Sequence, residues 1–250
     1  MTIICADDIS SSINTLLKNF YKSIKKNHNL IFSPFGLHST LSVIYEGAAG
    51  ETATSLQNAL NVWSAKDIAF QYKPILDNID AAENITLNIA NKLYVQKDYK
   101  INEGFQATAQ IYFDVSIEAI DFTKRAAAAA QINNWVKEKT SYKIEKVVDA
   151  DAFNPFTQAV LVNAIYFKGD WLFQFNEHFT VMHQFYISET ESISHPMMYQ
   201  EAPFDYAVNA ELDAQILRLQ HQNPRYSMTI VLPNSRTGIK KLEKNCLIWI

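Results

Sequence analysis

Ile13, Leu16, Leu17, Phe20 and Ile24 recur at helical spacing and predict a first amphipathic helix, with Ser10 to Ser12 as its caps. Asn29-Leu-Ile-Phe-Ser-Pro34 then reads as an extended apolar step, because the residue before a proline is pushed away from helical angles. Ser33 and Pro34 form an N-cap and first-turn pair for a second helix, whose apolar positions Leu37, Leu41, Ile44 and Ala48 predict its buried stripe. Gly47 and Gly50 punctuate the end of that helix. Thr52 is placed to cap a short third helix carrying Leu56, Ala59 and Leu60, and a fourth spans about 66–80 with Pro74 arguing against it.

The period changes at Ile85. Ile85, Leu87, Ile89, Asn91, Leu93 and Val95 alternate and predict one face of a strand, residues 98–102 predict a turn, and 111–120 predict a further strand. Ala126 to Ala130 lead into a helix that carries Ile132, Trp135 and Val136. Ala159 to Phe167 is almost continuously apolar, which predicts a central strand covered on both faces. Asn163 interrupts that run. A buried amide without partners costs about 1–3 kcal/mol, so a neighbouring element has to bond to it. Strands are also predicted at 216–219 and 226–232, followed by a helix from about Thr237 with Ile239 and Leu242.

Composition narrows the function. The 250 residues are 48% hydrophobic, enough for one large core or two modest ones, and no composition shift or linker marks a second domain, so 1–250 reads as one α+β domain. Lys and Arg total 22 against 26 Asp and Glu, a net charge of −4 without a single-sign block, which argues against nucleic acid as a partner. No apolar run approaches bilayer length, and Asp7 and Asp8 follow the first apolar patch too soon for a secretory signal, so neither an anchor nor an export signal is read here. Cys5 and Cys246 read as two separate thiols, with a terminus-to-terminus disulfide as the alternative.

No catalytic, cofactor or metal set emerges. His178 and His183 lack a ligand motif and read as loop or edge residues. A Gly-x-Ser-x-Gly elbow and a phosphate-cradling glycine loop are both missing, which leaves a hydrolase with a scattered triad as the weakest reading. Asn84-Ile85-Thr86 is a glycosylation acceptor if the chain is secreted, and Trp171 reads as a packing residue at a sheet end.

Asn29 to Pro34, Glu46-Gly-Ala-Ala-Gly-Glu-Thr52, Ile132-Asn-Asn-Trp-Val136, Val160 to Trp171, Met197 to Gln200 with Phe204, and Met228 to Pro233 occur in an order that closely resembles the serpin family. The resemblance implies helices packed around a large central β-sheet and smaller sheets. It also implies suicide inhibition of a serine protease, in which a cleaved reactive loop enters the large sheet as an extra strand. On this resemblance Ser33, Pro34 and Asn163 match the region that controls sheet opening, and Trp171 matches the tryptophan beneath the first insertion point. Gly36 stands where the family usually has a serine.

The same resemblance implies that the reactive loop and final core strands lie beyond Ile250, so that residues 1–250 alone would not trap a protease. It favours an extracellular parent. The alternative is a non-inhibitory binding or structural protein, including a chain completed by strand addition from a partner.

Overall fold

The computed structural model describes residues 7–24, 29–80 and 84–249. Cys5 and His28 lie outside them, as do the side chains at 246–249. Two compact units are present: residues 1–81 with 86–167, and 82–85 with 168–250.

In the first unit, helices α1 (Asp7–Ser23), α2 (Pro34–Gly47), α3 (Gly50–Leu60), α4 (Ala65–Asp80), α5 (Glu103–Phe113) and α6 (Arg125–Lys139) accompany a three-stranded sheet. Its strands are β1 (Ile85–Gln96), β2 (Val115–Ile120) and β3 (Ala159–Gly169), in the order β2-β1-β3. β1 and β2 run parallel, with Asn91 opposite Val115 and Gln96 opposite Ile120. The alternation read along β1 holds: Leu93 and Val95 enter a core with Val43, Ile68, Tyr72 and Phe113. Tyr94, pointing the other way, enters a second core with Phe122, Ala128, Ala129 and Ile132.

Several expectations are corrected. Ser10 to Ser12 lie inside α1 rather than capping it. Residue Ala49, not Thr52, occupies the α3 N-cap, with no side-chain cap bond. The expected strand at 111–120 begins as helix: α5 runs to Phe113, Asp114 ends it in the left-handed region at φ 50°, and β2 covers Val115–Ile120. Ile111, Phe113, Val115 and Ile117 alternate in sequence and imitate a strand across that junction. Pro74 sits inside α4.

The buried face of α2 is wider than the expected stripe, of which Leu37 and Leu41 pack half-buried with Leu16, Tyr45 and Leu60. Gly36, His38, Ser39, Ser42, Val43 and Tyr45 are buried, whereas Ile44 is exposed. Among the described residues β3, expected to be central, has β1 as its one ladder neighbour. Val160 and Val162 reach one core and Leu161 the other, so the apolar run reflects two covered faces and not two ladder neighbours.

The second unit holds an antiparallel ribbon of β4 (Val181–Tyr186) with β5 (Ser192–Met197), and an antiparallel sheet in the order β6 (Asp205–Asn209), β7 (Ala214–Gln220), β8 (Ser227–Pro233). Helix α7 (Ile239–Trp249) packs Leu242 with Leu212 and Ala214. The predicted strands at 216–219 and 226–232 are β7 and β8, while β4, β5 and β6 gave no burial signal because their residues are largely exposed.

Candidate functional site: the helix α2 latch on β1 and β3

Ser33 is extended at φ −101° and ψ 115°, as its place before Pro34 requires, and its hydroxyl accepts from the Gly36 amide at 3.1 Å. This cap, with Pro34 at the first helical position, fixes where α2 begins. Gly36 then lies directly against β3: a Cβ built on it would stand 2.7 Å from Ile165 Cδ1 and closer still to Asn163 Oδ1. The glycine lets α2 approach Asn163 and Ile165 without their side chains having to shift. It does more than lack a hydroxyl.

Asn163, half-buried on β3, finds a partner for its amide. Its Nδ2 donates to Asn91 Oδ1 at 2.8 Å, and Asn91 Nδ2 donates onward to Phe113 O at 3.2 Å. Asn91 is only 3% exposed. The chain of contacts therefore runs from the first turn of α2 through β3 and β1 to the end of α5. Replacing Gly36 with alanine should displace Asn163 from Asn91 and cost about 1–3 kcal/mol by overpacking, read as a lower denaturant midpoint at unchanged slope.

Further along α2, His38 is fully buried. Ser12 Oγ donates to Leu60 O, so it accepts from His38 Nε2 at 2.7 Å, which leaves Nδ1 to accept from the Tyr72 hydroxyl at 2.6 Å. Ser42 Oγ donates to His38 O at 2.8 Å. Burial holds the imidazole down, to a pKa of about 4, against a smaller raising effect of the Leu60 carbonyl.

The sheet-opening residues read from sequence are only partly brought together. Gly36, next to the Ser33 cap, meets Asn163, and the partner Asn91 had been read only as one of a strand's alternating positions. Trp171 belongs to the second unit, where its ring stacks on His221 at 4.3 Å and 12° and the two residues form an isolated β-bridge. Gly169 permits this packing, since a Cβ there would stand 2.9 Å from His221 Nδ1. Asn84 and Thr86 are exposed, and Asn84 takes φ 59° immediately before β1. Among the described residues, no group of three or more His, Cys, Asp or Glu side chains could hold a metal ion, and no helix is long and apolar enough to cross a membrane.

The family model described as serpin (serine protease inhibitor) matches residues 11–247. Antitrypsin of Bombyx mori is 31% identical over 97% of this chain and 67% of its own length. Serine protease inhibitor 42Dd of Drosophila melanogaster is 34% identical over 91% of this chain and 63% of its own length. The chain thus spans about two thirds of the curated relatives it matches. Among solved structures, cleaved Serpin 42Da superposes with a TM-score of 0.90 at 34% identity, covering 98% of this chain and 67% of that one. Emu ovalbumin superposes with a TM-score of 0.88 at 28% identity, over 95% and 66%. The fold is accordingly the α+β fold of these proteins, and the chain belongs to the serpin family.

Proposed function

We propose that residues 1–250 form the strand-accepting part of a serine protease inhibitor that works by loop insertion, and that Ser33, Pro34, Gly36, Asn163 and Asn91 are the latch that restrains insertion. The observation that carries this reading is the position of β3. Among the described residues it is an eleven-residue strand with β1 as its one ladder neighbour, with Asn163 in its middle tied to Asn91 and covered by the first turn of α2. An added strand pairs with an open edge, and the sheet admits it only as the covering elements yield. In this reading the protease supplies the nucleophile, and the inhibitor undergoes one irreversible rearrangement without turnover. Trp171, stacked on His221 beyond the end of β3, is proposed to support the end at which insertion starts.

The reactive loop is proposed to lie outside residues 1–250, so this stretch by itself should give no SDS-resistant complex with a trypsin-, chymotrypsin- or elastase-like protease. A parent chain carrying the same residues and a reactive loop should give one at equimolar ratio. Cleavage of that parent without a complex would overturn the inhibitory reading and favour a non-inhibitory binding protein. For residues 1–250 alone, a β3 that has one ladder neighbour among the described residues supports strand addition from a partner chain.

An extracellular parent is proposed on the family resemblance and on the exposed Asn84-Ile85-Thr86 acceptor. Expression through a secretory pathway should yield a glycosidase-sensitive mobility shift that N84Q abolishes. A shift that survives N84Q would remove Asn84 from the account.

A further inference from the structure

The register of the β4–β5 ribbon places His183 directly opposite His195, with Val181 opposite Met197 and Phe185 opposite Ile193. Side chains alternate along a strand, so these six residues share one face and the two imidazoles lie at its centre. Both histidines are exposed. Ile187 N donates to Glu191 O at 2.9 Å. Because that pair continues the same register, the alternation of antiparallel pairs makes His183 and His195 a hydrogen-bonded pair, with Cα atoms about 5.5 Å apart. Pro196, which has no N–H to give, falls opposite Met182 at a non-bonded position, in agreement with this phase.

Cβ atoms of such opposed residues stand about 4.5–5.5 Å apart, within reach of a common ion at the roughly 2.0–2.1 Å of a zinc–imidazole bond. We propose that His183 and His195 form a cross-strand clip for one divalent transition-metal ion of the zinc type, joining β4 to β5. Imidazole suits zinc, nickel and copper, and the four flanking residues on this face offer no carboxylate for calcium or magnesium. Two protein ligands leave the remaining coordination positions to water, which makes the clip open rather than a closed structural site. This pairing is invisible in linear spacing, where the two histidines are separated by a turn and the rest of both strands.

The test is calorimetric titration of Zn2+ alone into the 250-residue chain and its H183N, H195N and H178N variants at neutral pH. Because His183 and His195 are exposed, these substitutions leave the fold intact, which circular dichroism checks. Wild type should bind one equivalent that is lost or weakened at least roughly tenfold in H183N and in H195N alike, since even an outer-shell partner is worth that much. H178N should match wild type. Equal binding by wild type, H183N and H195N would overturn the proposal, as would the absence of any zinc binding to wild type.

Discussion

Lowering the pH from 7.5 to 5 should destabilise the first unit by about 2 kcal/mol through His38 alone, approaching 3 kcal/mol near pH 4. An unfolded histidine titrates near 6.5, whereas burial holds folded His38 to about 4. The folded state therefore binds fewer protons between those values. Its advantage is complete above pH 6.5 and disappears as pH falls through the window to 4. The groups facing the ring do not offset the new charge: Ser12 from α1 and Ser42 from α2 are neutral hydroxyls. Tyr72 from α4 is held protonated, its pKa pushed up by burial. Stability measured by denaturant at several pH values, in wild type and H38Q, isolates the effect from that of surface carboxylates. H38Q should be the less stable protein at pH 7.5 but lose less between pH 7.5 and 5. Parallel pH profiles would show that the imidazole is not buried as described.

Asn91→Asp should cost about 3–5 kcal/mol at pH 7, although it changes the side chain by a single heavy atom. Asn91 acts as donor to Phe113 O and as acceptor from Asn163, and it is almost wholly buried. A carboxylate keeps the second bond and loses the first, setting a charged oxygen against a carbonyl oxygen with one amide as its remaining partner. Protonation at low pH restores a donor, so the deficit should shrink as pH falls, opposite to the trend expected from His38. Equilibrium unfolding at pH 7 and pH 4 measures both. A cost below about 1 kcal/mol at pH 7 would mean that the Asn91 site admits water and does not join β1, β3 and α5.

The latch was partly legible before the structure. Ser33 and Pro34 announce their cap through local backbone chemistry, and Asn163 announces a missing partner because it interrupts an apolar strand. That the partner is Asn91 depends on two strands lying side by side, and no local pattern carries that information. The α2 face is legible only in part, for a related reason. Hydrophobicity selects Leu37 and Leu41, which pack half-buried, and Ile44, which is exposed, but it misses the deeper burial of His38, Ser39 and Ser42, with Ser12 and Tyr72 from distant helices satisfying His38. Gly36 is legible as a departure from the family pattern. Its reason, contact with Asn163 and Ile165, appears only in three dimensions. Strands β4 to β6 are largely exposed on both faces, and their short alternations, such as Val181, His183 and Phe185, mark no buried side.

Acceptance of a strand at the β3 edge is most directly measured by backbone hydrogen exchange of the 250-residue chain with and without an uncharged strand-length peptide of alternating small and β-branched residues. The expected result is saturable protection concentrated at residues 159–169, reached faster in G36A than in wild type because the latch is already loosened. Peptide binding that leaves those amides exchanging as before would contradict it, as would protection confined to β4 to β8.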